Sequence, residues 1–126
     1  MTINNKVTTF NGYEYNDCGV CVNPDKPYRF GNDHNFYFEI EVSESSQGWA
    51  YGYHWSCGTS GGGSPCMPNR ACASRSKAVI ACAEQLKQNF KGSKAKPFIA
   101  ELDRIIAEES GKKNPQPKQY SIFDYL

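Results

Sequence analysis

Cys18 and Cys21 stand at Cys-x-x-Cys spacing, and Cys57 and Cys66 follow them in the first two thirds of the chain. Four thiolates could hold one tetrahedral zinc ion, with the tight pair supplying two of them. The second pair is loose, because structural zinc sites usually use two short knuckles and eight residues separate Cys57 from Cys66. Cys66 and Cys72 are also too far apart for a knuckle, and Cys82 sits among alanines where it reads as a small core hydrophobe. A thiol redox role would place Cys-x-x-Cys just before a helix that lowers the thiol pKa, whereas Cys18 and Cys21 lie in a β-rich stretch. The expectation is no obligatory cofactor, with zinc on Cys18, Cys21, Cys57 and Cys66 as the alternative. His34 and His54 are the only histidines. Histidine and cysteine can form a base–nucleophile pair, but no local motif such as Gly-x-Ser-x-Gly accompanies them. A small Cys/His enzyme is the lesser alternative to a non-catalytic protein, and no catalytic residue is assigned.

A second chemistry is stacking. Trp49, Tyr51, Tyr53 and Trp55 alternate along one stretch, and their simplest role is to pack beneath helices. The other reading uses Tyr13, Tyr15, Tyr37, Tyr51 and Tyr53 on an open sheet face as a platform for single-stranded nucleic acid. Lys26, Arg29, Arg70 and Arg75 in neighbouring loops would then flank the strand. Of these, Tyr51, Tyr53, Arg70 and Arg75 are the candidate nucleic-acid residues.

The last residues carry the third possibility. A basic, proline-broken spacer, Lys112 to Lys118, precedes Gln119-Tyr120-Ser121-Ile122-Phe123-Asp124-Tyr125-Leu126. Such a polar segment is expected to be a flexible tail, 112–126, beyond a single domain, 1–111. Its large apolar side chains then need a binding partner, or they fold back on the domain. Gln-x-Ser-aliphatic-Phe resembles the short peptide with which bacterial replication and repair proteins bind the DNA polymerase sliding clamp. The resemblance implies that Ile122 and Phe123 anchor in an apolar pocket, with Gln119 hydrogen-bonding at its rim. Tyr120 stands where that family most often has leucine. The stretch Tyr13-Glu14-Tyr15-Asn16-Asp17-Cys18-Gly19-Val20-Cys21-Val22 and the loop Gly61-Gly62-Gly63-Ser64-Pro65-Cys66 resemble small proteins carried by bacterial mobile elements and phages. That likeness implies an accessory role and supplies no catalytic residues.

The elements that must position these groups follow from the hydrophobic period. Val7–Phe10 and Tyr13–Val22 are candidate strands around the Asn11-Gly12 turn. Residues 23–27 read as a loop. Phe36, Phe38, Ile40 and Val42 alternate with Tyr37, Glu39 and Glu41, the signature of a strand with one wet face. Trp49–Cys57 is another strand, with Ala50, Gly52, His54 and Ser56 opposite its aromatic face. Residues 59–69, dense in Gly, Ser and Pro, read as a loop. Gly61–Gly63 lacks the Gly-Lys-Ser/Thr ending of a phosphate-binding loop. From residue 74 the period changes to 3.6: Val79, Cys82, Ala83, Leu86 and Phe90 share one helix face, with Ser74 or Ser76 as N-cap. Pro97 opens a second helix whose apolar face is Phe98, Leu102, Ile105 and Ile106, ended by Gly111. Strands followed by helices predict an α+β fold. It should be an antiparallel meander of three to four strands, with helices at about 74–90 and 97–109 packed on one face.

The bulk numbers bound the rest. A chain of 126 residues is most simply one domain. Its net charge of +1 supplies no global field toward nucleic acid or anionic lipid. No stretch approaches the roughly 18–20 apolar residues of a membrane span, and residues 1–6 lack the apolar run of a signal peptide. A cytoplasmic, membrane-free protein is expected, and six cysteines in a reducing compartment are then more naturally thiols or metal ligands than disulfides.

Overall fold

In the computed structural model, which describes residues 8–33, 35–57, 60–65 and 71–111, the period-2 stretches become two antiparallel sheets. Thr8–Phe10 (β1) and Tyr13–Tyr15 (β2) form a short hairpin, turning at Asn11 and Gly12, both with positive φ. Asp25–Asp33 (β3), Phe36–Ser45 (β4), Gly48–Cys57 (β5) and Ser60–Gly63 (β6) form a four-stranded meander in chain order. Two helices follow, Arg75–Lys87 (α1) and Lys96–Ser110 (α2). The α+β layout with helices packed on strands is the one the change of period predicts.

β3 begins inside the stretch 23–27 that reads as a loop and runs on through residues assigned to no element, and β6 lies within the loop expected over 59–69. Asp25–Asp33 carries Pro27 and Gly31, which weaken the strand signal, but β3 is an edge strand and needs no inner ladder on its free side. Register shifts on both sides of its Tyr28–Phe30 segment accommodate the irregular residues. Ser60–Gly63 is the other edge, where a glycine run can still donate and accept along one side. In the opposite direction, the strand expected over 13–22 stops at Tyr15. Asn16 Oδ1 accepts from the backbone N–H of Cys18 at 2.9 Å and of Val20 at 3.1 Å, closing a turn instead.

Register decides which face is the core. Phe38 pairs with Trp55, Ile40 with Tyr53 and Val42 with Tyr51, so these side chains share one face. Tyr28 opposite Ile40 and Phe30 opposite Phe38 extend it. The helices cover this face with Ala78, Val79, Cys82, Ala83 and Leu86 of α1 and Phe98, Leu102 and Ile105 of α2. Phe30, Phe36, Phe38, Trp55, Phe90 and Phe98 form a connected ring cluster, with Phe90 stacked on Phe98 at 5.1 Å. Ser74, rather than Ser76, caps α1: its hydroxyl accepts from Lys77 N–H at 3.1 Å.

Ser76 is used elsewhere. The stripe Phe98, Leu102, Ile105 continues by helical spacing to position 109, where a glutamate is buried. Glu109 accepts a short hydrogen bond from the Tyr28 hydroxyl and another from Ser76 Oγ at 2.9 Å, so one carboxylate ties α2 to β3 and α1. Burial, and next the Glu109 carboxylate, hold the Tyr28 phenol above its ordinary range, so it stays a donor. Tyr28→Phe removes a donor from a buried carboxylate and should cost about 1–3 kcal/mol. Urea unfolding reads this directly, and an unchanged midpoint would mean the pair contributes nothing. No described helix is long and apolar enough to cross a membrane.

Candidate functional site

The helix-free face of the meander carries Tyr37, Glu39, Glu41 and Ser43 from β4 and Ala50, Gly52, His54 and Ser56 from β5, again by register. A strand face with two glutamates should be wet, yet part of this one is covered. The Tyr15 hydroxyl is hydrogen-bonded with Ser43 Oγ at 2.7 Å and the Glu44 carbonyl at 2.8 Å, which lays the first hairpin over one end. Cys21 N–H donates to the Pro65 carbonyl at 2.9 Å, and both residues are fully buried. The chain leaving β6 crosses Gly52 so closely that an added Cβ would strike the Gly63 carbonyl and approach Pro65 N to 2.6 Å. Only glycine allows that crossing.

Glu41, the cross-strand partner of Gly52, lies at this boundary and is 2 % exposed. Its Oε2 is 3.3 Å from His54 Nε2, whose side chain is 41 % exposed. Its Oε1 is buried and has no hydrogen-bond partner among the described residues. An unsatisfied buried carboxylate oxygen is costly, and such atoms mark places where structure alone does not explain a residue. Glu39 stands directly across from His54, its oxygens 4.0 Å from Lys26 Nζ and 3.9 Å from Arg29 Nη1. The Arg29 guanidinium also lies over the Tyr37 ring, 4.7 Å from its centre. Gly62 pairs with His54 at φ +136°, where a Cβ would meet the Tyr53 carbonyl and come within 2.8 Å of His54 Cα. The edge strand thus lies beside the imidazole without a side chain of its own there. The arrangement can hold a proton or a cation between an imidazole and a carboxylate.

The stacking platform is not assembled. Tyr51 and Tyr53 face the helices, because they pair with Val42 and Ile40, and the Tyr51 hydroxyl donates to Gln85 Oε1 of α1 at 2.8 Å. Tyr15 is buried on the opposite face, and Tyr37 lies there beneath Arg29. Tyr13 donates to Asp25 Oδ2 at 2.6 Å and packs edge-on to Trp49. Arg75 begins α1, with Nη2 3.6 Å from the same Asp25 oxygen. Arg70 lies outside the described residues. Period 2 puts Trp49, Tyr51, Tyr53 and Trp55 in one row, and pairing with β4 turns that row inward beneath the helices, the simpler of the two roles expected for it.

The described cysteines lie in different settings. Cys18 is exposed in the Asn16 turn, and Cys21 is buried beside Pro65 on the helix-free side. Cys57 lies on the helix-covered face, its thiol 3.3 Å from the Asn89 carbonyl. Cys82 is in the core with its thiol pushed well up by burial, as expected of a structural hydrophobe. Cys66 and His34 lie outside the described residues, and among those described no three His, Cys, Asp or Glu side chains converge on one point. Gln119, Tyr120, Ile122 and Phe123 also lie outside them.

Glu41 was legible only as a wet-face residue of an alternating strand. The burial that sets it apart comes from residues far off in sequence. Comparison with protein-family models, curated proteins and solved structures finds no match to this chain.

Proposed function

We propose that this chain is a non-enzymatic accessory protein of a mobile element or phage, and that it engages a bacterial DNA polymerase sliding clamp through Gln119–Phe123. The observation that carries the reading is the pentapeptide itself, Gln-Tyr-Ser-Ile-Phe, following a basic spacer broken by Pro115 and Pro117. Helix α2 ends at Ser110, and the Gly111 N–H closes it on the carbonyls of Ala107 and Glu108. Seven residues, 112–118, separate that end from Gln119. Extended, they would reach roughly 25 Å, enough to present the peptide clear of the domain. Ile122 and Phe123 then act as paired anchors, the kind of few buried side chains that carry most of a peptide interface. Ordering a tail on binding costs several kcal/mol, so the peptide alone should bind at about 1–100 µM.

Fluorescence anisotropy with a labelled peptide of residues 115–126 and a purified bacterial clamp tests this. Saturable binding that a scrambled peptide cannot compete is expected. Absence of binding by both the peptide and the full chain would end the clamp reading.

A further inference from the structure

We propose that Glu41, His54 and Glu39 form a binding site for one divalent transition-metal cation on the helix-free face of the sheet. Three observations converge there. Glu41 is a carboxylate almost wholly withdrawn from solvent, and its Oε1 has no hydrogen-bond partner among the described residues. A buried charge of that kind needs a counter-charge, and among the described residues its ionic neighbour is a histidine that is charged only when protonated. A bound cation supplies the charge without depending on that proton.

The second observation is the spacing. His54 Nε2 and Glu41 Oε2 are 3.3 Å apart. Two ligand atoms held at about 2.1 Å from a tetrahedral ion are separated by about 3.4 Å, so both can bind one ion with little movement.

The third is the sheet register. Glu39 lies directly opposite His54 and two residues from Glu41, which puts the three donor residues side by side on one face of the sheet. In this structure the Glu39 carboxylate is turned toward Lys26 and Arg29, so the three donors do not yet converge. Those contacts, 4.0 and 3.9 Å, are longer than hydrogen bonds, and the partners are about half exposed. Such pairs are weak, so rotating Glu39 onto the ion costs little. Gly62, the partner of His54 on β6, brings no side chain of its own to that pair.

One imidazole with two carboxylates suits Zn2+ or Mn2+. Of the two, Mn2+ is the better probe, because the chain's thiols compete for zinc and have little affinity for manganese.

The test is titration of Mn2+ into chelator-stripped full-length protein, with free Mn2+ followed by electron paramagnetic resonance. One ion per chain should bind, and the ion should raise the melting temperature. His54→Ala and Glu41→Gln should each weaken binding by about tenfold or more, and Glu39→Gln should weaken it less. Cys18→Ser should bind as the parent does. Circular dichroism checks each fold, and if Glu41→Gln unfolds, the half-exposed His54 carries the test. No uptake at millimolar Mn2+, or parental affinity and thermal shift in His54→Ala, would overturn the proposal.

Discussion

Phe38→Ala will lower the unfolding free energy by about 3–5 kcal/mol, the range for truncating a fully buried phenylalanine. The ring is 0 % exposed and sits mid-strand in β4. It stacks against Phe30 at 5.8 Å and meets Phe90 edge-on at 6.1 Å, and Trp55 lies across the strand pair. Phe30 and Phe90 both also contact Phe98 of α2, so the lost ring loosens the joint between sheet and both helices. Backbone pairing on both sides of β4 prevents the strand from moving in to fill the space, which places the cost toward the upper end. Denaturant unfolding should show a lower midpoint with an unchanged slope. A loss below about 1 kcal/mol would mean that the cluster is not the centre of the core.

The second large effect is on binding. The double change Ile122→Ala with Phe123→Ala should abolish clamp association of the full chain, because both anchors of the proposed peptide are removed and the remaining polar contacts cannot offset the ordering cost. The same protein should melt where the parent does, because a tail that serves only to bind a partner contributes little to the core. The opposing idea is that Tyr120, Ile122, Phe123 and Leu126 pack on the domain. It would cost several kcal/mol in this variant, by the same truncation logic that applies to Phe38. A thermal melt alone therefore separates the two before a clamp is added. A melting temperature well below the parent's would retire the clamp reading as stated.

Local pattern carried much of the fold. The alternation Phe36, Phe38, Ile40, Val42 fixes a strand, and the spacing Val79, Cys82, Ala83, Leu86 fixes a helix, because each period matches the repeat of its backbone. Glu109 was also within reach of the sequence: it occupies the next position of the Phe98, Leu102, Ile105 stripe, and an acid there implies a buried partner. β3 and β6 were missed because edge strands tolerate proline and glycine, which local propensity counts against any strand.

The candidate site was much less legible. His54 could be singled out as a rare residue type, but Glu41 could not be told from Glu39. Alternation says only that two side chains share a face. Which face the helices cover is settled by packing, and it sent Tyr51 and Tyr53 inward to Gln85 and the core. The sequence by itself determined that strands precede helices, the two apolar helix stripes and the tail peptide, all of them properties of near neighbours along the chain. Only the tertiary structure decided that the hairpin and the chain at Pro65 close over one end of the outer face. Burial depends on residues brought together from distant parts of the chain, so the same glutamate that reads as a solvated strand residue becomes a carboxylate with one oxygen unpaired among the described residues.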